Sequence, residues 1–287
     1  MDFAQYWFQD GPGDTPESIG ESLRFRGNQH LTRTPAVTQG NTLYTYSCWV
    51  KNTLGNNNLI PIAGNRATSG SVRRATQIEL SAGTARPWSF VWSDGTNGTS
   101  FKQWADPAKP AFRDPSAWYH IVFQYDFNNQ NMRAWINGTE LNLQEFAAGP
   151  GWANLENAIN FAGATQAIGG GFQKGETNPA HPSEGYYADV HMIAGQLLEP
   201  TAFGRTNDDG VWVPIDYAGT YGANGFHLDF SDPADIGADR SGNGNDFSPI
   251  NFELADQTST NWDHMEDSPT QNWATGNPLV QPITLGY

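Results

Sequence analysis

The densest run of ligand atoms lies late in the chain. Asp229, Asp232, Asp235, Asp239, Asn243, Asn245 and Asp246 place carboxylate and amide oxygens within 18 residues. Gly242 and Gly244 let the backbone turn tightly between them. Calcium takes six to eight oxygens from carboxylates, amides and carbonyls, often on irregular loops. The segment is therefore a candidate calcium site, and calcium is the one cofactor expected. The same residue types also make Asx turns without any ion, and the spacing is not that of an EF-hand loop. Both readings stand on the sequence.

A second constellation could recognise sugar. Trp88, Trp92 and Trp104 surround the polar run Asp94-Gly95-Thr96-Asn97-Gly98-Thr99. Aromatic faces stack on sugar rings, and Asp94 and Asn97 would hydrogen-bond the hydroxyls, which makes a candidate glycan patch. The alternative is that these tryptophans cap the hydrophobic core. A third group, Phe3, Tyr6, Trp7 and Phe8, precedes Gly11-Pro12-Gly13. It reads as an arm docking on a neighbouring subunit or particle shell, or as a segment folded back on its own domain.

Catalytic patterns are absent from the sequence. Retaining glucanases place acids as E-x-D-x-x-E on one strand, where alternation brings nucleophile and acid about 5 Å apart. No such run exists, and Glu79, Glu140 and Glu145 read as surface strand charges. There is no G-x-S-x-G. The six histidines never fall close together, and His120 and His191 read as packed within strands. The single Cys48 excludes an intrachain disulfide and a multi-cysteine metal site, and zinc is not expected. The reading is a binding or structural protein rather than an enzyme.

Charge narrows the partners. The 287 residues carry 15 basic and 30 acidic side chains, net −15. That sign disfavours nucleic acid and anionic membrane surfaces. The imbalance is local: residues 201–287 hold only Arg205 and Arg240 against 13 acids. It reads as a solvated surface, or as one that meets a cation or a basic partner. No apolar run reaches the ~18–20 residues of a membrane helix, and Met1–Phe8 has neither the basic nor the aliphatic region of a secretory signal.

The elements that must position these residues are strands. Apolar residues alternate over short runs broken by Gly, Asn, Pro and Asp. In Leu43–Lys51 the alternation puts Tyr44, Tyr46, Cys48 and Val50 on the core face, with Trp49 on the far face. Trp118–Asp126 sets Tyr119, Ile121, Phe123 and Tyr125 on one side. Asn137-Gly138 between Met132–Ile136 and Thr139–Leu143 is a type I′ hairpin signal. Further strands are expected at Leu59–Ala63, Ala75–Ser81, Trp88–Trp92, Tyr187–Ala194 and Phe226–Phe230, with one helical turn at Glu199–Phe203. Little regular structure is expected after Asp246. The expected division is an arm (1–19), a sandwich (20–200) and an acidic, loop-rich extension (201–287), tied down by Trp212, Phe230, Phe247, Trp262 and Trp273.

Ser22–Thr32 (SLRFRGNQHLT), Tyr46–Lys51 (YSCWVK), Ala117–Val122 (AWYHIV), Ala134–Gly138 (AWING) and Ala188-Asp189-Val190 resemble strands of laminin-G-like, concanavalin-A-like domains over residues 20–195. The resemblance implies an all-β, two-sheet jelly-roll sandwich. Residues 114–122, 187–214, 217–232, 239–252 and 267–278 resemble, in order, a class of tailed-phage virion proteins, tail fibre or surface components, with fibre or spike and capsid decoration both open. That resemblance implies location on the phage particle, other virion proteins as partners, a homo-oligomer, and contact with host surface glycans. A free carbohydrate-binding module is the alternative, and a glycan-cleaving jelly-roll enzyme a more distant one. If calcium occupies residues 229–246, excess chelator will lower the melting temperature; an unchanged melt removes the ion.

Overall fold

The computed structural model describes residues 19–37, 42–51, 58–67, 73–81, 88–93, 104–105, 114–126, 128–129, 131–145, 159, 161–172, 179, 181–253 and 263–271. The strands of the sandwich are β1 (Ser22–Arg26), β2 (His30–Arg33), β3 (Leu43–Lys51), β4 (Asn58–Ala67), β5 (Arg73–Ser81), β6 (Trp88–Ser93), β7 (Trp104–Ala105), β8 (Tyr119–Asp126), β9 (Asn131–Ile136), β10 (Thr139–Glu140), β11 (Gln144–Glu145), β12 (Thr165–Ile168), β13 (Gly170–Gly171), β14 (His181–Pro182) and β15 (Glu184–Ala194). After a 3-10 turn at Pro200–Ala202 come β16 (Gly204–Thr206), β17 (Trp212–Pro214), β18 (Phe226–Leu228), β19 (Ser248–Ile250) and β20 (His264–Met265).

Two antiparallel sheets carry the fold. Sheet A has eight strands in the order β10-β9-β8-β3-β15-β1-β20, with β18 also paired to β15. Sheet B has six, in the order β19-β2-β12-β4-β5-β6. Their inner faces meet in one core. Tyr44, Tyr46, Cys48 and Val50 of β3, Ile121, Phe123 and Tyr125 of β8, and Tyr187 of β15 face Leu31, Leu59, Ile62, Ile78, Leu80 and Ile168 of sheet B. The inward set expected for β3 and β8 is the observed one, because a period of two fixes the face once one residue is placed. The jelly-roll sandwich expected from the sequence is the fold observed.

The Asn137-Gly138 turn is also as expected, with φ of 46° and 72°. Asn137 Oδ1 accepts the His120 N–H at 2.7 Å, so its side chain serves the turn. A side chain at 138 would be doubly disfavoured, since a Cβ there would lie 2.4 Å from the Trp212 ring.

The segment expected to pack on the sandwich from residue 201 onward also adds strands to it. The extension enters both sheets: β18 pairs with β15, β20 with β1, and β19 with β2. The last two lie after Asp246, where little regular structure was expected. Short edge strands carry little periodic signal, and pairing with a distant strand creates them. Of the expected anchors, Phe230 and Phe247 are buried and Trp212 is half-buried against Trp49 and Trp118; Trp262 and Trp273 lie outside the described residues.

This cover explains why sheet A is buried on both faces. Trp49, Trp118, Tyr186 and Ala188 pack with Ile19, Trp212 and Met265. Val122, Trp135 and Ile193 pack with Phe203, Leu198, Tyr217 and Tyr221. The polar outer residues also find partners there. Thr45 Oγ1 donates to the Gln196 carbonyl at 2.9 Å and accepts the Leu198 N–H at 2.8 Å. Gln124 donates to the Leu198 carbonyl at 2.8 Å.

Charge is matched as well. Lys51 Nζ sits 2.7 Å from Asp267 Oδ2, both side chains under a tenth exposed, and Trp118 Nε1 donates to Asp267 Oδ1 at 3.1 Å. Arg26 holds Asp263 with bonds of 2.8 and 3.1 Å. Arg33, buried between Phe226 and Phe247, donates to the Asn224 carbonyl at 2.7 Å. Burial lowers its guanidinium to about 10. Thus part of the extension's acid charge meets the sandwich's own bases.

Lys51→Met leaves Asp267 as a buried, uncompensated charge and will cost about 3–5 kcal/mol in urea unfolding. The double variant Lys51→Met/Asp267→Leu will recover most of the loss. A single variant as stable as the double would remove the buried pair as a source of stability.

Candidate functional site

The strongest concentration of ionisable chemistry among the described residues lies where β18 meets β15. The register of β15 against β3 shifts between Ala188 and His191. Tyr187 faces the core on one side of the shift, Val190 and Met192 on the other. A strand that keeps its inward set across an odd step needs a bulge. Asp189 sits at that bulge with φ of 48°, a left-handed conformation that Asp tolerates better than most residues. The extra residue keeps a carboxylate out of the core and frees it to meet the next row.

That row holds His191 and His227, opposite one another in the β15–β18 register. Asp189 Oδ1 lies 2.7 Å from His227 Nε2 and 2.9 Å from His191 Nε2. Of these contacts, the one to His227 is an aligned hydrogen bond, while His191 Nε2 has none. Tyr221 Oη is 3.0 Å from His191 Nδ1. Burial would raise the Asp189 carboxyl, but the charges of His191 and His227 and the His227 hydrogen bond hold it well below the usual range. Burial lowers His191, with His227 adding to the effect and Asp189 opposing it. Burial also works against a charged His227, yet the Asp189 bond and charge, with Asp229 and Asp239 behind, keep it above the ordinary histidine value.

Among the described residues this is the one set of three His, Cys, Asp or Glu ligand atoms within 4.8 Å of each other. The rings decide what it can hold. His191 and His227 are stacked, with centroids 4.1 Å apart and planes 13° from parallel. An imidazole binds a metal along its in-plane lone pair, so stacked rings cannot both aim at one ion. The arrangement suits a proton.

A second histidine site lies on the same outer face. His120 is sandwiched between Trp49 and Trp212, with centroid distances of 4.9 and 6.0 Å. Trp212 Nε1 donates to His120 Nδ1 at 2.9 Å. An indole N–H can only donate, so Nδ1 is unprotonated and the neutral ring donates from Nε2 to Ser47 Oγ at 2.8 Å. Burial, partly opposed by Asp189, lowers this imidazole to about 3.

The sequence profile of the family described as the concanavalin A-like lectin/glucanases superfamily matches residues 25–181. The chain belongs to this superfamily. No curated protein sequence matches it. Solved structures similar to this superfamily member include the heptameric SAP-like pentraxin of Limulus polyphemus. It is 17% identical, with 63% of this chain and 79% of that one covered and a TM-score of 0.41. Another is the CBM40 of the Ruminococcus gnavus IT-sialidase bound to α2,3 sialyllactose, at 15% identity, 58% and 85% coverage and a TM-score of 0.40. A third is the full-length tailspike protein 2 of Escherichia coli O157:H7 bacteriophage CAB120. It is 15% identical, with 64% of this chain but 24% of that one covered, and a TM-score of 0.40.

Within this superfamily member the expected site residues fall as follows. Trp88 and Trp92 lie on β6, in register with the buried residues Leu80 and Thr76 of β5. Trp104 lies on β7, opposite Glu145 of β11. Asp94 and Asn97, like Phe3, Tyr6, Trp7 and Phe8, lie outside the described residues.

The 229–246 segment is fully described, and several of its carboxylate oxygens accept local hydrogen bonds. Asp239 accepts the N–H groups of His227, Ser241 and Asn245 and the Ser241 hydroxyl, at 2.8–2.9 Å. Asp229 accepts from Ser231 and Arg240, Asp232 from Ala234, and Asp246 from the Asp239 N–H. The carbonyl of Asp235 caps a turn by accepting the Ala238 N–H. Asn243 and Asn245 donate to the Gly225 carbonyl. Asx turns account for these bonds, which use both oxygens of Asp239 and one oxygen each of Asp229, Asp232 and Asp246.

The histidine grouping was missed because 36 positions separate His191 from His227. One signal existed: an Asp inside an apolar run whose inward residues change parity.

The His120 imidazole gives a measurable pH dependence. Its folded value lies below its unfolded one, so the unfolded state binds the extra proton and stability falls as pH drops from about 6.5 toward 3. Urea unfolding between pH 6.5 and 5 will show a slope approaching about 1.4 kcal/mol per pH unit from this group, reduced in His120→Gln. An equal slope in the variant would assign the acid sensitivity elsewhere.

Proposed function

We propose that this protein is a non-enzymatic surface component of a tailed-phage particle that contacts host glycans through the loop-rich end of its sandwich. The observation that carries the reading is the coincidence of two maps. Of the stretches resembling phage virion proteins, 187–214, 217–232 and the start of 267–278 supply most of β15, β18 and much of the cover of sheet A, and 239–252 supplies the sheet B edge strand β19. The likeness therefore extends through the structural cover as well as the superfamily match at 25–181.

A sheet sealed on its outer face leaves recognition to loops and edges. Trp88, Trp92 and Trp104 with Asp94 and Asn97 are the proposed glycan patch, and Phe3, Tyr6, Trp7 and Phe8 the proposed docking arm. Other virion proteins and further copies of this chain are the proposed partners. A binding role is favoured over hydrolysis because the sequence has no E-x-D-x-x-E run. The reading does not depend on an ion at 229–246, where turn bonds engage both oxygens of Asp239 and one of Asp246.

Glycan-array binding by the full chain, lost in Trp92→Ala at unchanged melting temperature, and immunogold labelling of intact particles are the expected results. Glycan binding without particle labelling would replace the proposal with a free carbohydrate-binding module. Release of reducing ends from host polysaccharide would replace it with an enzyme. Neither binding nor labelling would overturn it outright.

A further inference from the structure

Among the described residues, β16 and β17 pair only with each other and form a two-stranded sheet of their own. Their turn closes on itself. Asn207 N–H donates to the Val211 carbonyl at 2.8 Å, and Asn207 Oδ1 accepts the Asp209 and Val211 N–H groups at 3.1 and 2.9 Å. The base is held by buried Phe203, whose carbonyl accepts the Ile215 N–H at 3.1 Å. The hairpin can therefore move about that base without breaking a ladder bond to sheet A or sheet B. Trp212 is what seats it on sheet A. The indole rests on two glycines, since a Cβ at Gly138 or Gly204 would lie 2.4 or 2.6 Å from it, and it stacks on His120 with planes 20° from parallel. We propose that Trp212 is an acid-released latch: a proton taken up at His120 Nδ1 displaces the indole N–H and frees the β16–β17 hairpin from sheet A while the sandwich stays folded.

Both imidazole nitrogens are engaged in the closed state. Nδ1 accepts the Trp212 Nε1–H at 2.9 Å, and Nε2 donates to Ser47 Oγ at 2.8 Å. A proton on Nδ1 sets two N–H donors against each other. The Ser47 bond survives, because Nε2 donates in either protonation state. His120 is 1% exposed, so the cation stays dry for as long as the indole covers it. Trp49, stacked on the other face with centroids 4.9 Å apart, still attracts that cation. Trp212 is the side that yields: it is half-buried, and the hairpin behind it keeps its own turn.

The charged groups around the ring act mainly from one strand. On β15, Asp189 opposes the effect of burial on His120 and His191 adds to it. On β3, Lys51 is paired with Asp267. On β9 and β10, Arg133 and Glu140 pair with each other, and the turn between them supplies Asn137, which accepts the His120 main-chain N–H. On the hairpin, Arg205 is opposite Val213, one step out of alternation with the Thr206–Trp212 pair, and so lies on the other face. Asp208 and Asp209 are exposed in its turn.

The sign follows from burial of the ring. Below the unfolded value near 6.5 the closed hairpin excludes a proton that the open one binds, so opening becomes more favourable as pH falls toward the folded value of about 3.

Amide exchange on the full chain, corrected for intrinsic rates, is the test. Between pH 6.5 and about 5 the opening constant of the β16–β17 amides will rise by as much as tenfold per pH unit. It will exceed that of the β3 amides throughout and stay unchanged in dilute urea, which accelerates β3, because local opening exposes little surface. In His120→Gln the pH dependence will vanish. Trp212→Phe keeps a ring over His120 but removes the donor, and the imidazole will titrate at a higher pH by NMR. Hairpin amides that follow β3 in both pH and urea would overturn the latch in favour of global unfolding. An unchanged pH dependence in His120→Gln, or an unshifted His120 titration in Trp212→Phe, would overturn it as well.

Discussion

Antiparallel sheets commonly keep one face in water, yet the central strands β3, β8 and β15 of sheet A are buried along almost their whole length. Their outer faces carry Thr45, Ser47, Lys51, His120, Gln124 and His191, groups that cannot stay dry without partners. Most of those partners come from residues 196–271. The rest of the architecture depends on this requirement. A sandwich with these outer residues is complete only when its own chain returns to cover them.

The cover is specific because it is polar as well as apolar. Trp212, Phe203 and Met265 supply area, but area alone would allow sliding. The Thr45, Gln124 and His120 hydrogen bonds and the Lys51–Asp267 and Arg26–Asp263 pairs fix one register. Each is costly to break, since the group left behind stays buried. The strongly acidic extension therefore describes an internal fit in part, with Asp263 and Asp267 facing the sandwich. Exposed acids such as Asp208, Asp209, Asp216, Asp232 and Asp235 are what it presents to solvent.

A sealed sheet A leaves the proposed glycan patch on the sheet B edge, where β6 carries Trp88 and Trp92. It also places titratable groups in the joint between sandwich and cover. His120 lies in that joint between Trp49 and Trp212, and Asp189, His191 and His227 converge there.

The sequence by itself determined the strand class, the inward faces of β3 and β8, the Asn137-Gly138 hairpin and the superfamily. The first three rest on period-two alternation and local turn chemistry, which neighbouring residues encode, and the superfamily on the family profile that matches residues 25–181. It also showed where the acid charge lies, but not what that charge meets. Only the tertiary structure decided that Asp267 faces Lys51, that short strands after residue 246 complete two sheets, and that Asp189, His191 and His227 converge. These contacts join positions far apart in the chain, and no local pattern carries the pairing. The 229–246 segment shows the limit from the other side: the same residue types suit calcium or Asx turns, and only the tertiary structure shows which carboxylate oxygens accept main-chain N–H groups.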